Sequence, residues 1–293
     1  MSQIRIGIAG LGVVGAETAR HIISSQDILC RRAGKNLKII AVSARDDTKD
    51  RGFPLDDILF YTDPLKLLDH DDIDVIIELI GGERGVALSL CQKALQAGKH
   101  VITANKAMIA HHGFSLSKLA EDNNVTLQFE AAVAGGIPAI KILREGLAGN
   151  QIETVAGILN GTCNYILSEM TSSNSAFPDV LKEAQHKGFA EADPSFDIDG
   201  VDAAHKLAIL SAIAFEQKIE FSSLSISGIR DVSDIDINYA GKLGYCLKLL
   251  GIAQRGGPAE VTMALISDDE QLALVNGALN AVSYSGAPVQ SSI

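Results

Sequence analysis

Three stretches of this sequence carry residue types at spacings that can do chemistry. The first is Gly10-Leu11-Gly12-Val13-Val14-Gly15. It follows the apolar run Ile4 to Ala9 and opens a helical pattern, the context in which a GxGxxG spacing binds a dinucleotide. Gly10 permits a tight turn, Gly12 lets backbone approach a pyrophosphate, and Gly15 allows close helix–strand packing. The helix N-terminus favours the phosphate charge. The alternative is a glycine turn used only to reverse the chain. The second stretch is acidic: Gly188-Phe189-Ala190-Glu191-Ala192-Asp193-Pro194, continuing to Asp197, Asp199, Asp202 and Lys206. Asp202 and Lys206 stand four apart and share one face of a helix that Asp199 can cap. A carboxylate and partial burial act in opposite directions on a lysine's hold on its proton, which suits proton transfer. The same spacing also describes an ordinary surface ion pair, worth about 0.3–0.5 kcal/mol. The third stretch is Thr103-Ala104-Asn105-Lys106, directly after an apolar run. A lysine there can orient a substrate or cofactor, or be an ordinary loop lysine.

The surrounding pattern says what positions these groups. Apolar runs at Ile4–Ala9, Leu37–Val42, Asp74–Ile80, His100–Thr103 and Val125–Phe129 alternate with helical stretches at Ala16–Ile23, Val86–Ala97 and Leu116–Glu121. Continuous apolar strands alternating with helices predict an α/β fold, a doubly wound parallel sheet of Rossmann type covered on both faces. The carboxyl ends of such strands are where ligands bind, which is where Gly10–Gly15 and Thr103–Lys106 fall. The pattern changes after Glu130, at Gly135, Gly136 and Pro138. Beyond it are expected a helix Ala139–Gly146, a strand Ile152–Leu159, helices Tyr165–Met170, Val180–His186 and Val201–Ala214, and strands Val261–Ile266 and Ala281–Gln290. We therefore expect a dinucleotide-binding domain over 1–134 and a second, α+β domain for substrate binding, catalysis and dimerisation over 135–293. After the second strand comes Ser43-Ala44-Arg45, where NAD sites commonly carry an acid. A guanidinium fork at Arg45 suits a 2′-phosphate and favours NADP over NAD; the alternative is a solvated surface arginine.

Composition excludes several classes. In 293 residues, 47% are hydrophobic and 21% charged, ordinary globular values. The formal net charge of −11 disfavours nucleic acid and anionic membranes as partners. The four cysteines, Cys30, Cys91, Cys163 and Cys246, form no CxxC pair. They read as free thiols in a reducing cytoplasm rather than a zinc or disulfide framework. The opening residues enter a strand almost at once, so no signal peptide is expected, and no apolar run approaches the length of a membrane span.

Taken together and in order, these motifs resemble the homoserine dehydrogenase family. The resemblance rests on GLGVVG at 10–15, Thr-Ala-Asn-Lys at 103–106, Glu130-Ala131-Ala132-Val133-Ala134-Gly135-Gly136-Ile137-Pro138, Asn160-Gly161-Thr162-Cys163-Asn164-Tyr165-Ile166, and the segment from Gly188 through Lys206. It implies reversible reduction of L-aspartate 4-semialdehyde to L-homoserine by NAD(P)H, in threonine and methionine biosynthesis. It implies that Lys206 exchanges the proton with the carbonyl oxygen and that Asp202 orients substrate and lysine. It implies that Glu191 binds the substrate ammonium group and that Lys106 lies near substrate and nicotinamide. Gly10 to Gly15, Arg45, Thr103 and Lys106 would contact the cofactor. Glu130, with the backbone carbonyls of Val133, Gly135 and Ile137, would hold a structural sodium ion, an all-oxygen set that suits a hard cation. A homodimer is implied as well. Residues 274–282 resemble the family's segment before a glycine-rich GPGAG loop that contacts the cofactor. Without that loop, and without a regulatory ACT domain, two expectations stand: an active enzyme, or a catalytically weak nucleotide-binding and dimerising remnant.

Overall fold

The computed structural model describes residues 2–218 and 220–292. They form two compact units, divided between Ala132 and Val133.

The first unit runs β1 (Gln3–Ala9), α1 (Val13–Ser24), α2 (Gln26–Ala33), β2 (Asn36–Ser43), β3 (Leu59–Tyr61), β4 (Val75–Glu78), α3 (Val86–Gln96), β5 (His100–Thr103), α4 (Lys106–Asp122) and β6 (Leu127–Gln128). Its strands lie in the order β3-β2-β1-β4-β5-β6, every pairing parallel. A strand covered on both faces has no solvent side, so its residues are apolar throughout. Ile6, Ile8, Ile39, Val42 and Ile77 accordingly pack with Leu11, Ala19 and Ile22 into one core cluster. This is the doubly wound parallel sheet that the alternating pattern predicts. Strand order reverses between β1 and β4, and that switch point opens a crevice at the strands' carboxyl ends.

The second unit runs α5 (Ala139–Lys141), prolonged by a π-turn over Ile142–Gly146, then β7 (Gln151–Ile158), α6 (Gly161–Ser173), α7 (Phe177–His186), α8 (Ser195–Ile198), α9 (Val201–Phe215), β8 (Ser225–Ile226), α10 (Asp234–Lys242), β9 (Tyr245–Gln254), β10 (Ala259–Ser267), β11 (Ala281–Ala287) and β12 (Ser291–Ser292). The sheet is mixed, in the order β12-β11-β7-β9-β10-β8. Helix α9 lies against it. A Cβ at Gly251 of β9 would stand 2.8 Å from Leu159 Cδ1 and 3.4 Å from Leu207 Cβ, so a glycine lets helix and strand close together. Ala203, Ala204, Leu207, Ala208, Ile209 and Leu210 are buried around most of the circumference of α9. A helix apolar nearly all round is an interior helix.

Several expectations change. Helix α4 does not wait for Leu116 but starts at Lys106, because the Asn105 side chain caps it by accepting from Met108 N at 3.1 Å. His111, His112 and Gly113 had hidden its apolar period. Helix α6 likewise starts four residues before Tyr165, at Gly161, under an Asn160 cap. Asp199 does not cap α9; left-handed Gly200 (φ 83°) takes that place and Asp199 pairs with Arg230. The strand expected to reach Gln290 ends at Ala287, and Val289 N turns to Asn150 Oδ1 at 3.1 Å. Strand β9 escaped the pattern because Lys248 interrupts its apolar run; α2, β3, β8 and α10 were not expected either.

Candidate active site

In the first unit the glycine turn follows from contact distances. Gly10 has φ 94°, and a Cβ there would lie 2.5 Å from Leu79 O. A Cβ at Gly15 would lie 1.9 Å from Gly10 O. Both glycines are demanded by the protein itself. Gly12 is different, since a Cβ there would meet no protein atom within 4 Å. Its bareness leaves open space for a ligand's backbone contact. Helix α1 has no side-chain cap at Gly12 and no acid in its first turn, so its leading amides are available to an anion. Val13 is 90% exposed beside them. A crevice of about 550 Å³ opens here, lined by Gly10, Leu11, Gly12, Arg45, Lys49 and Ile80 among others.

The crevice wall beyond β2 is basic. Arg51 braces it by donating to Leu11 O at 3.3 Å, Lys49 O at 2.8 Å and Asp46 O. The Asp46 carboxylate is turned to local use, accepting from Thr48 N at 2.9 Å and Thr48 Oγ1 at 2.7 Å. Those bonds hold its pKa below the usual carboxylate range. The residues present therefore fit a nucleotide with its phosphates on the α1 amides.

At the ends of β4 and β5 lies a second polar cluster. Thr103 is 1% exposed; its hydroxyl donates to Glu78 Oε2 at 2.5 Å and accepts from Asn105 N at 2.9 Å. The side chain of Thr103, a residue expected at the cofactor, is turned inward onto Glu78. Lys106 is the first residue of α4, half-buried, immediately after the Asn105 cap. Sequence reasoning overlooked Glu78, which no motif marks.

In the second unit the acidic stretch folds back on the start of α6. Lys206 Nζ lies 2.7 Å from Asp202 Oδ2 and donates to Leu159 O at 2.7 Å. Their side chains are 15% and 4% exposed, which excludes the reading as a surface ion pair. Asn160 Nδ2 donates to Asp202 Oδ2 at 2.9 Å and to Asp197 Oδ1 at 2.8 Å, while its Oδ1 accepts from Cys163 N at 2.8 Å. Thr162 Oγ1 stands 3.0 Å from Asp197 Oδ2 and 2.9 Å from Phe189 O. Phe189 also stacks on Tyr165, their ring centroids 4.2 Å apart. Glu191, exposed, follows two residues later, its own carbonyl and that of Ala192 held by Gln185 Nε2 at 3.1 and 3.2 Å. Asn160, Thr162, Asp197 and Gln185 thus join the expected Glu191, Asp202 and Lys206. Asn160 and Thr162 stand in the 160–166 segment that carries the family resemblance, which assigned them no role.

Glu130 begins the short 3-10 turn that ends the first unit at Ala132; Val133, Gly135 and Ile137 lie in the opening of the second. Left-handed Ala134 (φ 47°) and Gly136 (φ 90°) alternate with the three residues whose carbonyls the resemblance assigns to sodium. Among the described residues no cluster of three or more His, Cys, Asp or Glu side chains could hold a metal. Burial pushes the Cys91 and Cys163 thiols far above their usual range, so neither is a thiolate nucleophile. No helix among the described residues is long and apolar enough to cross a membrane.

Comparison with known proteins agrees with both halves. Residues 10–130 match the family described as homoserine dehydrogenase, NAD binding domain, and residues 138–293 the family described as homoserine dehydrogenase. The chain is 47% identical to the homoserine dehydrogenase of Neisseria gonorrhoeae, over all of this chain and 68% of that protein. The crystal structure of a homoserine dehydrogenase from Thiobacillus denitrificans superposes with a TM-score of 0.94 at 45% identity, covering 100% of this chain and 68% of that one. A hyperthermophilic archaeal homoserine dehydrogenase in complex with NADPH gives a TM-score of 0.84 at 27% identity, covering 99% of this chain and 90% of that one. A dinucleotide crevice in one unit, a lysine–carboxylate pair on an interior helix in the other, and matches along the whole chain have one reading: this chain belongs to the homoserine dehydrogenase family, oxidoreductases that use a nicotinamide cofactor.

Proposed function

We propose that this chain interconverts L-aspartate 4-semialdehyde and L-homoserine with NADP(H) as its preferred cofactor. The observation that carries the reading is the Asp202–Lys206 pair, withdrawn from solvent and braced by Leu159 O and Asn160. When bound, the reduced nicotinamide supplies a hydride to the aldehyde carbon. Lys206 delivers the proton to the carbonyl oxygen as negative charge develops there, and recovers it in the oxidation direction. Asp202 keeps the ammonium aimed and helps to orient the substrate. Glu191, an exposed carboxylate on an anchored loop, receives the substrate's ammonium group. Lys106, at the head of α4, serves the substrate and nicotinamide from the first unit.

Preference for NADP is supported by Arg45 and Lys49 on the crevice wall and by the commitment of the Asp46 carboxylate to Thr48. The NADPH named in the archaeal relative points the same way. Glu130 with the carbonyls of Val133, Gly135 and Ile137 is an oxygen-only donor set that fits a structural sodium ion. The free cysteines suit the cytoplasm, and a homodimer is the expected assembly.

The test is NADPH formation from L-homoserine at alkaline pH. Lys206→Ala is expected to lower turnover by orders of magnitude while dinucleotide affinity stays near wild type. Turnover close to wild type in that variant would refute the role of Lys206.

A further inference from the structure

Glu78 is 0% exposed, yet it carries a carboxylate at the carboxyl end of β4, beside the switch point. Burying a carboxylate is costly unless it is fully bonded. Among the described residues no lysine, arginine or histidine pairs with it. Its partners are Ile80 N at 2.8 Å, Gly81 N at 3.0 Å and the Thr103 hydroxyl at 2.5 Å. An apolar residue would fill this interior site at lower cost, so what the carboxylate contributes is geometry. Gly81 and Gly82 are consecutive left-handed residues, φ 86° and 88°. Such a pair loses much conformational entropy on folding and keeps its shape only where bonds hold it. Here Glu78 holds the amides of Gly81 and of the preceding Ile80, and Asn105 Nδ2 donates to Gly82 O at 2.7 Å.

One chain of bonds therefore joins two turns. It runs from the 80–82 turn through Glu78 to the Thr103 hydroxyl, on to Asn105 N, and through the Asn105 side chain back to Gly82. Register places it between the two cofactor elements, since Glu78 pairs with Ala9 on one side and Thr103 on the other. Leu79 O is the atom that a Cβ at Gly10 would strike, and Leu79 and Ile80 line the crevice. Arg45 and the adenosine side lie toward β2. The Leu79–Gly82 turn and Lys106 lie across the switch point, where the other half of a dinucleotide runs.

We infer that Glu78 is a positioning residue for the nicotinamide half of the cofactor, acting through Thr103 and Asn105 to fix the 80–82 turn and the head of α4. The inference rests on the dinucleotide reading above and adds a residue to it. Glu78 is sealed from the crevice, so it acts through its partners. A reacting centre misplaced by about 1 Å can lose some hundredfold in rate.

The test compares Glu78→Gln, Thr103→Val, their double variant and the conservative Thr103→Ser. Two ligands are titrated against each: NADPH, followed by its nicotinamide fluorescence, and 2′-phospho-ADP-ribose, which lacks the nicotinamide. Glu78→Gln and Thr103→Val are expected to lower kcat by roughly 10- to 100-fold and to change the bound NADPH emission. Affinity for 2′-phospho-ADP-ribose stays within about twofold, Thr103→Ser behaves as wild type, and the double variant is no worse than the worse single one, as for two links of one chain. Equal loss of both ligands, or no change in kcat and emission, overturns the inference while leaving the cofactor assignment intact. A wild-type chain that binds neither ligand overturns the cofactor assignment, and the inference with it.

Discussion

Asp202 Oδ2 accepts from both Lys206 Nζ and Asn160 Nδ2, so the pair proposed to handle the proton has a third member 42 positions before Asp202. Asn160 does two jobs with its two ends. Its carbonyl caps α6 through Cys163 N, and its amide ties Asp202 to Asp197. The jobs separate by substitution. Asn160→Ala removes both, and is expected to cost about 1 kcal/mol of stability as a lost cap. It is also expected to lose roughly tenfold or more in kcat/KM for L-homoserine, the scale of a bond to a charged group. Serine keeps a capping oxygen but cannot reach two carboxylates. Asn160→Ser should thus regain most of the melting temperature and little of the turnover. Recovery of turnover by serine would mean that the cap alone matters. The i,i+4 spacing of Asp202 and Lys206 was readable in the sequence; their burial and the Asn160 tie were not, because spacing along one helix says nothing about what packs against it.

Elements fared unevenly for the same reason. Strand His100–Thr103 carries three β-branched residues in a row just after Gly98, so its limits could be read directly. Strand β9 could not, because a lysine sits in its middle. The structure explains that lysine. Lys248 is 3% exposed and donates to Asn164 Oδ1 at 3.1 Å, Val275 O at 2.7 Å and Asn276 Oδ1 at 2.9 Å. Asn164 Nδ2 reaches Val275 O and Leu279 O, both at 3.0 Å. Together they clasp 275–279 onto α6, against whose first residue, Gly161, the carbonyl of Ala278 packs directly. The clasp holds the turn that carries Asn160 and Thr162. All three acceptors of Lys248 are uncharged, and burial lowers its pKa from the ordinary 10.5. A lysine whose folded value lies below its unfolded value holds fewer protons in the native state across the interval between them. Stability then rises with pH through that interval. Denaturant midpoints of wild type and Lys248→Met, measured from pH 7 to about 10.5, should show a wild-type rise that the variant lacks. Parallel curves would mean that the burial is not felt.

At the scale of the whole molecule, the two halves of the chemistry are written differently. The nucleotide site of the first unit is built from contiguous backbone, Gly10 to Gly15, whose first and last glycines follow from contacts within the turn and with Leu79. A short motif can encode such a site. The second unit gathers Asn160 and Thr162 at the head of α6, Asp197 of α8 and Asp202 of α9, a set visible only once those three helices are packed. Family resemblance supplied Glu191, Asp202 and Lys206 there, but not the bonds from Asn160, Thr162 and Asp197 that hold the cluster together. The division has a consequence for ligand binding. NADPH alone should slow amide exchange at 12–15, where α1 offers uncapped N–H groups, and at 80–82, where Glu78 already holds the turn. It should leave 160–163 at the free rate. Adding L-homoserine to the NADP complex should then protect 160–163 and 189–192, since Thr162, Phe189 O and Asp197 form one polar cluster and Glu191 follows Phe189 by two residues. Hydrogen exchange read by mass spectrometry resolves these segments. Protection of 160–163 by nucleotide alone would show that the cofactor draws directly on the second unit. The roles divided between Gly12 and Asn160 would then belong to a single site.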